Sequence, residues 1–323
     1  MVQLPLIAPM LASPGALPPA SQDDQWAYET KLDGQRCLTY LPGDGTLVLR
    51  ARSGADITPA YPELPPLAAA LAGTRAVLDG EIVAVDEHGH GDFERLQSRM
   101  GLAASPARAA RMAREVPAYL MVFDVVQLGD RDLVAERTSY ADRRRLLEDL
   151  DVRGARWSTP AAIVGHGETA LAATRDVGLE GLVCKRLASP YRPGARSPDW
   201  IKIRNWRTVD VVVGGWVPGR GRLSGLPGAL LVGEFDAGAL RYLGSVGTGW
   251  SDRERARLAE LLRVAAVPQC PFEREPAVIG ARWVLPRLVG EVAYATRTRA
   301  GLLRHPSWHR LRPDLAPEDL GSG

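Results

Sequence analysis

Lysine is nearly missing from this 323-residue sequence: of its 40 basic residues, only Lys31, Lys185 and Lys202 are lysines. Cysteine is scarce too. Cys37, Cys184 and Cys270 stand far apart and form no C-x-x-C pair. That argues against a disulfide framework and a cysteine-rich zinc site, and it fits a reducing cytoplasm. Long apolar runs are lacking. The opening MVQLPLIAPMLASPGALPPA is interrupted by prolines and has no basic start, so neither a signal peptide nor a membrane span is expected. The five histidines are scattered, and His88 and His90 read as a solvated, glycine-bearing turn rather than metal ligands. Charge of one sign is not in great excess either, and a net +2 implies no partner by itself. Residues 206–323 carry 16 Arg against 12 Asp and Glu, which leaves the preceding part slightly acidic. Such a tilt suits phosphate contact and a plain solvated face equally well.

What remains is a soluble globular composition, 46% hydrophobic and 24% charged, with length for two domains. The first two-thirds alternate β-rich runs with helical stretches. QWAYETKLDG, RCLTYLP, TLVLRAR, AVLDGEIVAVD, AYLMVFDVVQL, EGLVCKRL and WIKIRNW read as strands. Gly43-Asp44-Gly45 marks a turn between the second and third. ELPPLAAALAG reads as a helix ended by Gly73, and DFERLQSRMG as one capped by Asp92. SYADRRRLLEDL reads as an amphipathic helix with Arg and Glu outward, GETALAATRDVG as a further helix, and ASPYRPGARSPD as a loop. Near residue 206 the texture changes to four glycine-broken strands, with the helix SDRERARLAELLRVA between the third and fourth. That pattern predicts a small β-barrel of the OB type, a frequent nucleic-acid-binding module, with another small barrel as the competitor.

The three lysines carry the chemical argument. Arginine replaces lysine on a solvated surface at little cost but not as a nucleophile, because guanidinium stays protonated in proteins. A composition pressed toward arginine should therefore keep lysine where an amine or ammonium itself is needed. Alternate strand residues share a face, so Glu29, Lys31 and Asp33 are expected to point one way. Taken alone, E-x-K-x-D is an ordinary surface salt bridge. Gly34 follows and permits close backbone approach, and Arg36 continues the alternation if the strand bends at that glycine. Lys202 and Arg204 share a face in WIKIR, with Ile201 and Ile203 opposite. Two cations in line repel unless an anion lies between them, and phosphate is the natural candidate. Glu81 and Glu180, at the ends of apolar strands, suit a metal ion or a ribose hydroxyl; either one alone is more often a salt bridge.

The ordered set KLDGQR (31–36), ARSG (51–54), LDGEIV (78–83), FDVV (123–126), EGLVCKR (180–186) and WIKIR (200–204) resembles the motifs of ATP-dependent DNA ligases. These are covalent nucleotidyltransferases. APMLA, YPEL, SPYRPGARSPDWIKIR and LRHPSWHRLRPD resemble in particular the bacterial ligases of the non-homologous end-joining type, in a stand-alone form. The resemblance implies an α+β fold: an ATP-binding nucleotidyltransferase domain over 1–205 and an OB-fold DNA-binding domain over 206–323. It implies ATP as co-substrate, Mg2+ or Mn2+ as the ion, and nicked or broken double-stranded DNA as the partner. It leaves open a Ku-type end-binding protein, and a cytoplasmic bacterial monomer fits.

By the same resemblance Lys31 is the nucleophile that becomes lysyl-AMP. Glu29 contacts the adenine and Phe123 stacks on it. Arg36 and Arg52 hold ribose or DNA phosphate. Glu81 binds ribose or metal, and Glu180 helps hold the metal. Arg196 and Lys202 contact the ATP phosphates, with Lys185 nearby and Arg204 where the family often has a second lysine. Arg304 and Arg312 fall in a region that orients the pyrophosphate. RNA ligase or capping chemistry, and a non-catalytic nucleic-acid-binding protein, are the competing readings. Nucleotide and substrate competition separates the first, and retention of all three lysines argues against the second.

Overall fold

Short β-rich runs separated by glycine and proline turns pair into two sheets within the first unit, Met1–Asn205. The computed structural model describes residues 4–71, 73–86, 89 and 91–320, so the reading of His88 and His90 lies outside the described residues. One sheet holds β1 (Leu11–Pro14), β2 (Trp26–Thr30), β9 (Ala162–Val164), β10 (Gly181–Arg186) and β11 (Arg196–Arg204), in the order β1-β11-β10-β2-β9. The other holds β3 (Gln35–Leu41), β4 (Val48–Ala51), β5 (Ala76–Ala84), β6 (Ala118–Leu128) and β7 (Arg131–Asp132), in the order β4-β3-β5-β6-β7. A short β8 (Trp157–Ser158) runs parallel to β6.

The period-two alternation of strands decides what each sheet face meets. Cys37, Leu78, Leu120 and Val122 of the second sheet bury against Leu64, Leu67 and Leu147 from outside the sheet. Their neighbours Leu38, Val77 and Phe123 turn to the opposite face and pack with Met10, Tyr191 and Trp200. On the first sheet, Tyr28, Leu182, Cys184 and Ile203 pack against Ala170 and Leu171 of a helix. Each buried Leu or Val contributes about 1.5–3 kcal/mol. The helices of this unit are α1 (Pro66–Ala70), α2 (Phe93–Gln97), α3 (Pro106–Glu115), α4 (Tyr140–Asp149) and α5 (Gly167–Asp176). Asp92 caps α2, its carboxylate accepting from the Arg95 backbone N–H at 2.9 Å.

Several expectations need correction. Helix α4 does not present all its arginines to solvent: Arg143 is fully buried and Arg144 nearly so. The reason is a counter-charge from another element, since Asp124 of β6 accepts from Arg143 Nε and Nη2 at 2.8 and 2.9 Å. The segment 188–199 is not loop throughout, because β1 pairs with the chain from Arg196 onward. Glu81 lies inside β5 rather than at its end. Helix α1 is shorter than its sequence stretch, opening only at Pro66. Helix α3, strand β1 and the last strand of the chain, Ser307–Leu311, are additions to the elements expected from the sequence.

The second unit, Trp206–Gly323, comprises β12 (Arg207–Pro218), β13 (Pro227–Asp236), β14 (Ala239–Val246), α6 (Asp252–Val264), β15 (Ala266–Val267), β16 (Arg282–Tyr294), β17 (Thr296–Arg297), β18 (Leu303–Arg304) and β19 (Ser307–Leu311). Its main sheet runs β14-β13-β12-β16-β15, with β19 also on β16, and β17 pairs with β18. This is a curled, OB-like half-barrel with α6 between the third and fourth long strands. Val211, Val213, Leu230, Val232 and Val292 bury against Leu258 and Leu262 of α6. The whole is an α+β fold. Among the described residues no helix is long and apolar enough to cross a membrane.

Candidate active site

One cavity in the first unit gathers the chemistry. Its lining includes Glu29, Lys31, Arg36, Arg52, Glu81, Phe123, Lys185, Arg196, Lys202 and Arg204, together with Trp200. All three lysines therefore face one space, although they lie on different segments separated by up to 171 positions in the chain. Alternation explains the strand contributions: Val183 and Lys185 of β10 line the cavity, while Leu182 and Cys184 face α5. Lys202 and Arg204 of β11 share the cavity face as expected, and Ile203 is buried behind them.

Lys31 lies just past the end of β2, not within it. Its backbone N–H donates to the Gly181 carbonyl at 2.9 Å, tying it to the start of β10. Two glycines make this corner possible. A Cβ on Gly34 would lie 2.2 Å from the Ile82 carbonyl oxygen, and one on Gly181 would lie 2.0 Å from that of Ile203. Both approaches are closer than any side chain tolerates. Lys31 Nζ donates to Glu180 Oε2 at 2.5 Å, and Arg204 Nε lies 3.2 Å from Glu180 Oε1. So Lys31 pairs with a carboxylate 149 positions away in the chain.

Glu29 turns to a buried partner instead. Its Oε2 lies 2.8 Å from Lys185 Nζ, and its Oε1 accepts from the Tyr140 hydroxyl. Lys185 is 1% exposed, with Nζ 4.4 Å from the ring centroids of both Phe123 and Trp200 and 5.0 Å from that of Tyr140. Nζ also donates to the Phe123 carbonyl at 3.3 Å. Burial pulls the Lys185 ammonium below its usual pKa, while Glu29 and Asp124 oppose that shift.

Arg36 is clamped to buried Asp79, Nε and Nη2 donating at 2.6 and 2.7 Å, and Tyr191 donates to the same carboxylate at 2.6 Å. The Arg36 guanidinium lies 4.7 Å from the Phe123 ring centroid, a cation–π contact that fixes the ring. Glu81 is pushed up to about 7 by burial, against the pull of Arg36 and Lys31. Lys202 is lowered by burial and then by Arg204, Arg196 and Lys31, the signature of crowded cations. Arg196 donates to the Ala12 carbonyl. Arg52 is exposed, in the turn after β4.

The cavity thus has an aromatic, buried part around Glu29, Lys185, Phe123 and Trp200, and a cationic part around Lys31, Lys202 and Arg204. Glu180 borders the latter through Lys31 and Arg204. Among the described residues no three His, Cys, Asp or Glu assemble as a metal cluster. Arg304 and Arg312 lie in the second unit, where Arg312 pairs with Asp210 and Asp314, each at 2.8 Å. Trp200, Tyr140 and Asp79 were not singled out from the sequence. Trp200 opens WIKIR and Asp79 lies within LDGEIV, so both stand in quoted motifs, whereas Tyr140 offered no signal without its partner Glu29.

Comparison with known proteins gives the family. Residues 9–204 match the ATP dependent DNA ligase domain, and residues 224–315 match the ATP dependent DNA ligase C terminal region. The chain is 39% identical over 317 residues to the multifunctional non-homologous end joining protein LigD of Mycolicibacterium smegmatis. That alignment takes in 97% of this chain but only 39% of the relative. A probable DNA ligase of Streptomyces avermitilis is 35% identical over 91% of this chain and 57% of its own. Among solved structures, mycobacterial DNA ligase D complexed with ATP and MES aligns at 39% identity with a TM-score of 0.57, covering 98% of each chain. Two matched ligase regions in order and an ATP-binding relative aligned across both units mean that this chain belongs to the family of ATP-dependent DNA ligases.

Proposed function

We propose that this protein seals 5′-phosphate/3′-hydroxyl nicks in DNA through a lysyl-AMP and then a DNA-adenylate intermediate. The observation that carries the reading is the convergence of every lysine in an arginine-dominated chain on one cavity. Residues 1–205 act as the adenylation domain and 206–323 as the DNA-binding domain. The aromatic part of the cavity takes the base: a purine stacks on Phe123, and Glu29, a hydrogen-bond acceptor, meets the exocyclic amine of adenine. Arg36 holds Phe123 in place. Arg52 and Glu81 serve the ribose side. The cationic part takes the triphosphate, with Lys202, Arg204 and Arg196 offsetting its charge.

Lys31 Nζ attacks the α-phosphorus in line. The P–N bond forms as the bond from the α-phosphorus to the bridging oxygen breaks, and pyrophosphate leaves with the electron pair. Lys31 must shed a proton to attack, and Glu180 is the carboxylate within reach at 2.5 Å. Phosphoryl transfer of this kind depends on positioning and charge neutralisation more than on covalent help. A magnesium ion fits the donor set, because Mg2+ takes one or two carboxylates plus phosphate oxygens and keeps its waters; Glu180 and Glu81 are the carboxylates that would hold it. When bound, it would offset phosphate charge.

AMP then passes to the 5′-phosphate of a nick, and the 3′-hydroxyl displaces it. DNA contact by the second unit is backbone-directed, since a nick occurs in any sequence, and it weakens steeply with salt. The relatives named for end joining support a role in double-strand-break repair.

The test is covalent labelling. The protein is first stripped with pyrophosphate, then given ATP labelled at the α-phosphate, and denatured. Label is expected on the wild type and absent from Lys31→Ala. A stripped wild type that takes no label would overturn the reading.

A further inference from the structure

We propose that Tyr140 is a positioning residue that makes the cavity select adenine over guanine, acting through Glu29. This rests on the reading of the aromatic part of the cavity as the base site. Tyr140 is 1% exposed and is not part of the cavity lining; it stands behind Glu29 as the first residue of α4. Ser139 caps that helix, accepting from the Asp142 N–H at 3.2 Å, so the Tyr140 backbone is fixed by the helix start.

The Glu29 carboxylate has about four lone-pair sites, and two fixed donors occupy one on each oxygen. The Tyr140 hydroxyl donates to Oε1 and Lys185 Nζ to Oε2. Burial and the neighbouring Glu29 charge raise the Tyr140 hydroxyl well above its usual pKa, so it stays a donor. With both neighbours donating, Glu29 is left to accept again. Adenine presents an amine at its 6-position and guanine a carbonyl oxygen. An oriented acceptor meets the first and repels the second.

A third group shows why the orientation needs Tyr140. Arg144 Nη1 is buried, has no hydrogen-bond partner, and lies 3.8 Å from the same Oε1. It is an unmet donor competing for the carboxylate. Without the tyrosine hydroxyl, Oε1 has only that donor to turn to, and turning toward it withdraws Glu29 from the base. Tyr140 therefore decides between two positions of one carboxylate.

The experiment compares single-turnover self-adenylylation or guanylylation of wild type, Tyr140→Phe, Glu29→Gln and the double variant. The probes are ATP, GTP and purine riboside triphosphate, which lacks the 6-amino group. In Tyr140→Phe the apparent affinity for ATP is expected to fall about tenfold, the saturating rate less, and the preference for ATP over both other nucleotides about tenfold. The double variant is expected to match Glu29→Gln, because one residue acts through the other. Preferences are ratios within one preparation, so a partly unfolded variant distorts all probes alike. Wild-type preference in Tyr140→Phe, or effects that multiply in the double variant, would overturn this inference and leave the ligase reading standing. A stripped wild type unlabelled by ATP would instead remove the base site itself.

Discussion

Two lysine–carboxylate pairs face the same cavity and differ in how free they are. Lys185 and Glu29 meet at 2.8 Å with side chains 2% and 4% exposed, ringed by Phe123, Trp200 and Tyr140. Lys31 and Glu180 meet at 2.5 Å with 16% and 10% exposure, among Lys202 and Arg204. Opening the first pair would leave a charge among aromatic rings, so it is a fixed part of the wall. Opening the second leaves its lysine with phosphate or water to meet. The contrast teaches that the same two residue types act as scaffold in one part of the cavity and as reactive groups in the other, and that solvent access separates the roles.

The largest effect should come from exchanging cations. Lys31→Arg keeps the charge but has no usable nucleophile, so covalent label should drop to background. Label on that variant would break the comparison at its reactive end. Next in size is stability. Lys185→Met strands Glu29 and should cost about 3–5 kcal/mol, read from urea unfolding. Lys31→Met should cost less, because Arg204 Nε stays 3.2 Å from Glu180 and keeps that carboxylate paired. Equal losses would mean the two pairs are energetically alike.

A third prediction uses Glu81, which sits between the two regimes. Burial raises its carboxyl from 4.5 to about 7. Below pH 4.5 both folded and unfolded chains hold this proton. As pH rises toward 7 the unfolded chain releases it first, so the fold loses stability across that window. Urea midpoints of the nucleotide- and metal-free protein should show that loss, and Glu81→Gln should remove it. A slope unchanged in the variant would assign the titration elsewhere. The smallest effect belongs to exposed pairs. A double-mutant cycle on Arg241 and Asp236, 2.8 Å apart and about half exposed, should give a coupling within the error of the measurement. A larger value would undercut exposure as the deciding variable.

Strand alternation made part of the site legible in advance. It put Lys202 with Arg204 and opposite Ile203, and residue chemistry marked the lysines as a set. It failed where the partner came from another element. The outward reading of α4 assumed that arginine seeks water. Asp124 on β6 supplied Arg143 with a buried bidentate partner instead. Strand β11 shows the same limit. Ala12 pairs with Ser197 and Ser13 with Ile201, so Pro198, Asp199 and Trp200 bulge out of the β1 register. Trp200 lines the cavity from that bulge; WIKIR contains it, but alternation along the strand does not announce the bulge.

The sequence by itself determined the chemistry available: three amines in an arginine background, a glycine three positions after the first of them, and ligase motifs in order. These are local properties, set by residue type and backbone sterics. The tertiary structure alone decided which carboxylate each lysine meets and how much water reaches it. Glu29 is two residues from Lys31 yet binds Lys185, because β2 pairs with β10 and ends before Lys31. Electrostatic partnership depends on distance and burial in space, and sequence separation carries neither.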